Sequence, residues 1–160
     1  MIDKNQRVLD FLITCPKIKN SPLYFNFINA KNNNTQFVTV SNDTATNQPY
    51  IDGSVSKSYT FTIIDFKSIS YNPLVKQEGY PNENVEDMND VQALIDWVNE
   101  QNDVKNYPDF GDLCFIDSME ALSENPNLNS IDTTLTPALA KYSITIRINY
   151  LDNTKKLWNK

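Results

Sequence analysis

The chain has 160 residues, with 14 Lys or Arg, 20 Asp or Glu, two Cys and no His, for a formal net charge of −6. That length suits one domain whose core can stand without disulfide or metal staples. Lacking histidine, the chain can hold no Ser-His-Asp or Cys-His pair, no His-bearing zinc or facial-triad site and no imidazole switch near neutral pH. Its acidity also denies it the surplus of Lys and Arg needed to grip DNA, RNA or anionic lipid.

Residues 3–14 set Val8, Leu9, Phe11, Leu12 and Ile13 beside Asp3, Lys4, Gln6, Arg7 and Asp10, a spacing that predicts a short amphipathic helix stopped by Pro16. Leu23 to Asn29 alternates Leu23, Phe25 and Phe27 with Tyr24, Asn26 and Ile28, the pattern of a half-buried strand. With Asn32–Asn34 as a turn and Gln36–Ser41 as a second strand, a hairpin is expected. Residues 42–56 are polar, contain Pro49 and Gly53, and read as a loop. Lys57 to Ser70, with Tyr59, Phe61 and Ile63 against Thr60, Thr62 and Ile64, predicts a long central strand.

After a loop over Asn72–Pro81, Asn84 with Asp87 three positions on resembles a helix N-cap. Met88, Val91, Leu94, Ile95 and Val98 then form the apolar face of a helix over 85–101, leaving Glu86, Asn89, Asp90, Gln92 and Asp96 to water. Beyond the Tyr107–Gly111 turn, Cys114 to Met119 predicts a strand that Glu124–Asn127 breaks. Tyr142 to Leu151 alternates strictly and predicts a two-faced strand. A loosely held tail is expected from about 152, carrying Lys155, Lys156, Trp158 and Lys160. The order α, β, β, β, α, β, β predicts a single α+β domain over 1–160, with a mixed or antiparallel sheet of five or six strands packed with two helices.

Cys15 and Cys114 are too far apart in sequence for a metal or dithiol motif and are expected to be reduced and part-buried. The first residues lack the sections of a secretory signal, and no apolar run approaches the roughly 18 residues of a membrane span, so a soluble cytosolic chain is expected. Three scattered glycines cannot build a phosphate cradle, and Asp87 and Asp90 lack the mid-loop Gly and terminal Glu of a calcium loop. No cofactor, metal or catalytic residue is expected. Two stretches are richer in special residues than packing alone predicts: Pro49–Ser54, and Trp97–Gln101 through Tyr107–Gly111. Each reads either as a structural turn or as a contact surface for a partner. Tyr50, Asp52, Gly53, Ser54, Tyr107, Pro108, Asp109 and Phe110 are the candidate interface residues.

Tyr50-Ile51-Asp52-Gly53-Ser54 before an aromatic-rich strand, Trp97 closing a helix, Asn106-Tyr107-Pro108-Asp109-Phe110-Gly111, Cys114, the Glu120–Asn127 stretch with Asn125-Pro126, and Ala140-Lys141-Tyr142 opening a strand that ends Tyr150-Leu151 occur in an order that resembles a phage family. It is the minor capsid or tail-terminator family of Gram-positive siphophages and prophages. The likeness spans about residues 50 to 151.

The resemblance implies a non-catalytic virion protein forming a ring, typically of six subunits, at the head-proximal end of a tail tube. The ring stops tube polymerisation and offers a surface to the neck. Its implied partners are further copies of itself, the major tail tube protein and a neck or head-completion protein. DNA would pass an anionic lumen without tight binding, with no membrane involved, and assembly would take place in the host cytoplasm. Two other readings stay open: another head–tail joining protein, or a monomeric phage-encoded binding module. An enzyme would need a pocket holding two converging carboxylates of raised pKa.

Overall fold

Two 14-residue strands carry the architecture: β4, Val55–Ser68, and β7, Leu139–Asp152, pair antiparallel along their whole length, from Val55 opposite Asp152 to Ser68 opposite Leu139. Register decides their faces. Tyr59, Phe61 and Ile63 lie opposite Ile148, Ile146 and Ile144 on an inner face, and Ser58, Thr60 and Thr62 lie opposite Asn149, Arg147 and Thr145 on an outer one. The inner face is the core. Against it pack Val8, Phe11 and Leu12 of helix α1, Lys4–Leu12, and Val91, Leu94, Ile95 and Val98 of helix α2, Glu83–Asp103.

The computed structural model describes residues 3–19, 22–26, 34–39, 47–69 and 83–157. Five strands run in the order β1-β2-β4-β7-β5, where β1 is Leu23–Phe25, β2 is Asn34–Thr39 and β5 is Cys114–Ala121. Two more attach to this path: β3, Gln48–Pro49, on β4 and β6, Asn127–Asp132, on β7. The result is the expected single-domain α+β fold with two helices.

Several local expectations need correction. β1 and β2 pair in parallel, Leu23 opposite Thr35, so they form no hairpin, because alternation fixes which face a residue takes but not the direction of its strand. Helix α2 begins at Glu83, so Asn84 lies inside its first turn and is not its cap. Met88 is exposed, and the apolar face gains Trp97, whose ring lies 5.1 Å from that of Phe11. The expected break after β5 is present over residues 122–126, and β6 follows it as a strand that was not expected. All six of its residues are exposed, and Asn-Leu-Asn-Ser-Ile-Asp carries no strand pattern. The expected Asn32–Asn34 turn lies almost wholly outside the described residues. So do the Asn72–Pro81 loop, Trp158 and Lys160.

Local chemistry explains the helix ends. Asp3 Oδ1 accepts from the N–H groups of Asn5 and Gln6 and so caps α1. At the end of α2, Lys105 adopts φ 56°, Asn106 N–H donates to Gln101 O at 2.9 Å and Lys105 N–H to Asn102 O at 3.1 Å, a Schellman closure. Asn102 then reaches the outer edge of β5, where its Oδ1 accepts from Met119 N–H at 2.9 Å, while Tyr107 Oη donates to the same Oδ1 at 3.1 Å. Edge groups that would otherwise invite another strand are thereby occupied.

Candidate functional site

Both singled-out loops fall at one end of the sheet, since β4 and β5 each begin opposite Asp152, with Val55 and Cys114 as its partners. β3 folds back on the start of β4, and the turn between them closes through Tyr50 N–H to Ser54 O at 2.8 Å and Gly53 N–H to Tyr50 O at 3.0 Å. Gly53 sits at φ 86°, the left-handed region that favours glycine. Asp52 Oδ1 accepts from Ser54 N–H at 3.0 Å and Ser54 Oγ–H at 2.5 Å, and Lys156 Nζ stands 3.3 Å from its other oxygen. The Ser54 hydroxyl, followed by its N–H, holds the Asp52 carboxyl below the usual carboxylate range. Ser54 is buried.

Residues 153–157 run between the two loops. Asn153 N–H donates to Leu113 O at 2.8 Å and Leu157 N–H to Asp52 O at 2.9 Å. A Cβ on Gly53 would stand 2.5 Å from Lys155 O, so the backbone there approaches as closely as only glycine allows. The tail expected to be loose from about 152 is thus tied down through Leu157. Asp152 belongs to the same knot. Burial raises its carboxyl pKa, but the Lys57 ammonium and the hydroxyl and N–H of Thr154 outweigh that and bring it down to about 2.

This turn holds Tyr50 48% and Ile51 fully exposed. They rim an open depression of about 500 Å³, whose lining also includes Ser56, Asp117 and Leu151. Phe115, 55% exposed, lies opposite Leu151 on the same face and extends the apolar area.

The second loop does not join that surface. Phe110 is only 3% exposed and meets Tyr59 and Tyr150 edge-on, at ring distances of 6.0 and 5.2 Å. Lys4 Nζ lies 5.8 Å from the ring centre of Phe110 and 5.4 Å from that of Tyr150. Pro108 is buried and Tyr107 half-buried, while exposed Asp109 accepts from Gly111 N–H at 2.8 Å and faces Arg7 at 3.9 Å. The Asn-Tyr-Pro-Asp-Phe-Gly run therefore closes α2, turns the chain and plugs the core. Of the eight candidate residues, Tyr50 and Asp52 line the depression with Ser54 at its buried base, and Gly53 locks the turn.

Leu151 and Phe115 were missed, and Ile51 was singled out only as part of the Pro49–Ser54 stretch. For Phe115 a signal existed: Cys114 and Ile116 face inward with Asp152 and Tyr150, so alternation sends Phe115 outward.

At the other end of the inner face lies an ion network. Lys67 Nζ stands 3.7 Å from Asp65 Oδ2 and 3.4 Å from Asp90 Oδ2, and Lys17 Nζ is 2.5 Å from Asp90 Oδ1. Burial pushes the Asp65 carboxyl up to about 6, whereas the hydrogen bond from Lys17 holds Asp90 below the ordinary value. Lys67 stands between the two carboxylates and ties β4 to α2.

No family model matches this chain, and no curated protein matches it. The site is an exposed apolar area in which a closed turn holds out Tyr50 and Ile51 beside Phe115 of β5 and Leu151 of β7.

Proposed function

We propose that this chain is a structural assembly protein, a tail-terminator-like subunit. Copies, six to a ring, sit at the head-proximal end of a phage tail tube, stop its polymerisation and present the surface that joins the neck. The observation that carries the assembly reading is the exposed Tyr50–Ile51–Leu151–Phe115 area on a turn locked by Gly53. Contiguous apolar surface is ordinarily covered by a partner, and a rigid turn lowers the ordering cost of binding one. The particular identity rests on the resemblance over residues 50 to 151. The acidic composition agrees with a lumen that lets DNA slide without binding phosphates.

Electron microscopy tests the reading. Closed rings are expected from the purified protein or at the ends of isolated tails, and tails assembled without the protein should run overlong. Virions that lack this polypeptide, or carry a single copy of it, would overturn the proposal.

A further inference from the structure

Two carboxylates line the depression beside the 50–54 turn, and they are not equivalent. Asp52 is already engaged, by the N–H and hydroxyl of Ser54 and by Lys156 Nζ at 3.3 Å. Asp117 is exposed, and among the described residues it has no ion pair. A β-bulge sets its position. The register of β5 on β7 slips between Ile116 and Ser118, and Ser118 then stands opposite Asn149, whose Nδ2 donates to Ser118 Oγ at 3.0 Å. Asp117 is the extra residue, without a partner in the ladder, and bulges of this kind re-aim a side chain at the end of a sheet.

The rest of the lining is mostly apolar, with Tyr50, Ile51 and Leu151 about a hollow of about 500 Å³. One uncompensated carboxylate beside an apolar hollow and an exposed tyrosine ring complements a guanidinium on an aliphatic stem. The stem lies along Ile51 and Leu151, the planar head stacks on Tyr50, and paired N–H groups reach the Asp117 oxygens. An ammonium lacks the planar fork that serves ring and carboxylate together. The net charge of −6 draws a basic partner and repels an acidic one. The guanidinium comes from outside this chain, whose two arginines are Arg7, facing Asp109 at 3.9 Å, and Arg147, which keeps its Nε buried.

We propose that this depression is an arginine-recognition site: a different protein, basic where it touches this chain, inserts an arginine among Tyr50, Ile51 and Leu151 and pairs it with Asp117. Tyrosine and arginine are the residues that most often anchor such contacts. The inference rests on the proposed assembly function and names the chemistry of the partner that meets this surface.

The test titrates the nitrogen-15-labelled chain with the peptide acetyl-Leu-Arg-Leu-amide and follows its amide resonances. Saturable shifts are expected at residues 50–56, 115–118 and 151. Replacing the arginine by citrulline, which keeps the shape and removes the charge, should weaken binding at least threefold, as should Asp117→Asn, in keeping with an ion pair partly open to water. The lysine peptide should bind more weakly than the arginine one, and Tyr50→Leu should narrow that difference. Circular dichroism checks that Asp117→Asn keeps its fold; if it does not, the citrulline comparison on the unaltered chain decides. Absent shifts, shifts confined to other surfaces, or equal binding of the arginine and citrulline peptides would overturn the inference. So would self-association in sedimentation velocity that Asp117→Asn abolishes, since a second copy would then be the occupant. Rings formed by a chain that ignores the arginine peptide would leave the ring reading standing and sink this one. Selective arginine binding by a chain that virions lack would do the reverse.

Discussion

Phe110 occupies the space between Tyr59 and Tyr150, so truncating it leaves a cavity that the surrounding strands cannot close. Phe110→Ala should cost about 3–5 kcal/mol of stability, read as a fall in the urea midpoint. A shift under about 1 kcal/mol would return Phe110 to the surface. Gly53→Ala should cost roughly 1–3 kcal/mol from the backbone conformation alone, with a further loss from the approach of Lys155 O. Amide exchange at Leu157 should rise with it. At Asp65 the pKa stands at about 6 against an ordinary 3.8, so the folded state holds that proton more tightly than the unfolded chain. The stability it contributes is full below about pH 4 and lost as pH rises through about 6. Asp65→Asn should remove a pH dependence on the order of 3 kcal/mol between those limits, measurable by urea titrations at pH 4 and 7. Asp152, brought down to about 2, acts in the opposite sense: its contribution is present above about pH 4 and fades as pH falls toward 2. The sequence exposed the special character of residues 50–54 and 107–111 through Gly, Pro and aromatics. It could not tell an apolar side chain that plugs the core from one held out to solvent, because Phe110 and Ile51 differ in which side of the sheet their loop delivers them to.

At the scale of elements, β4, β7 and α2 were legible because each is long and strongly periodic. Ile146 shows the gain: strict alternation placed it inward, and it is fully buried against the helices. Ile146→Asp should abolish the cooperative unfolding transition, since an unpaired buried charge rivals the whole stability of a domain. β3 and β6 were not legible. A two-residue strand has no period, and β6 holds its place by pairing with β7 while exposing every side chain. The edge of β5 depends on one amide. Asn102→Ala should strip the acceptor from Met119 N–H and one partner from Tyr107, at a cost of about 1–3 kcal/mol. Light scattering should then show concentration-dependent aggregation as the uncovered edge finds other strands.

For the molecule as a whole, composition excluded histidine chemistry, and the α+β class followed from the order of elements. The proposed contact surface was only half visible, because it draws on positions far apart in sequence, with Tyr50 and Ile51 on one loop, Phe115 on an edge strand and Leu151 at the end of another. Ile51→Asp tests it at this scale. It should leave the melting temperature within about 2 °C, as an exposed substitution on a turn does, while removing rings from electron micrographs.

The bond from Leu157 N–H to Asp52 O and the close approach of Lys155 O to Gly53 set a timetable. The turn that presents Ile51 is clamped by amino acids joined to the chain long after it, so a nascent polypeptide still short of Leu157 carries that turn without its clamp.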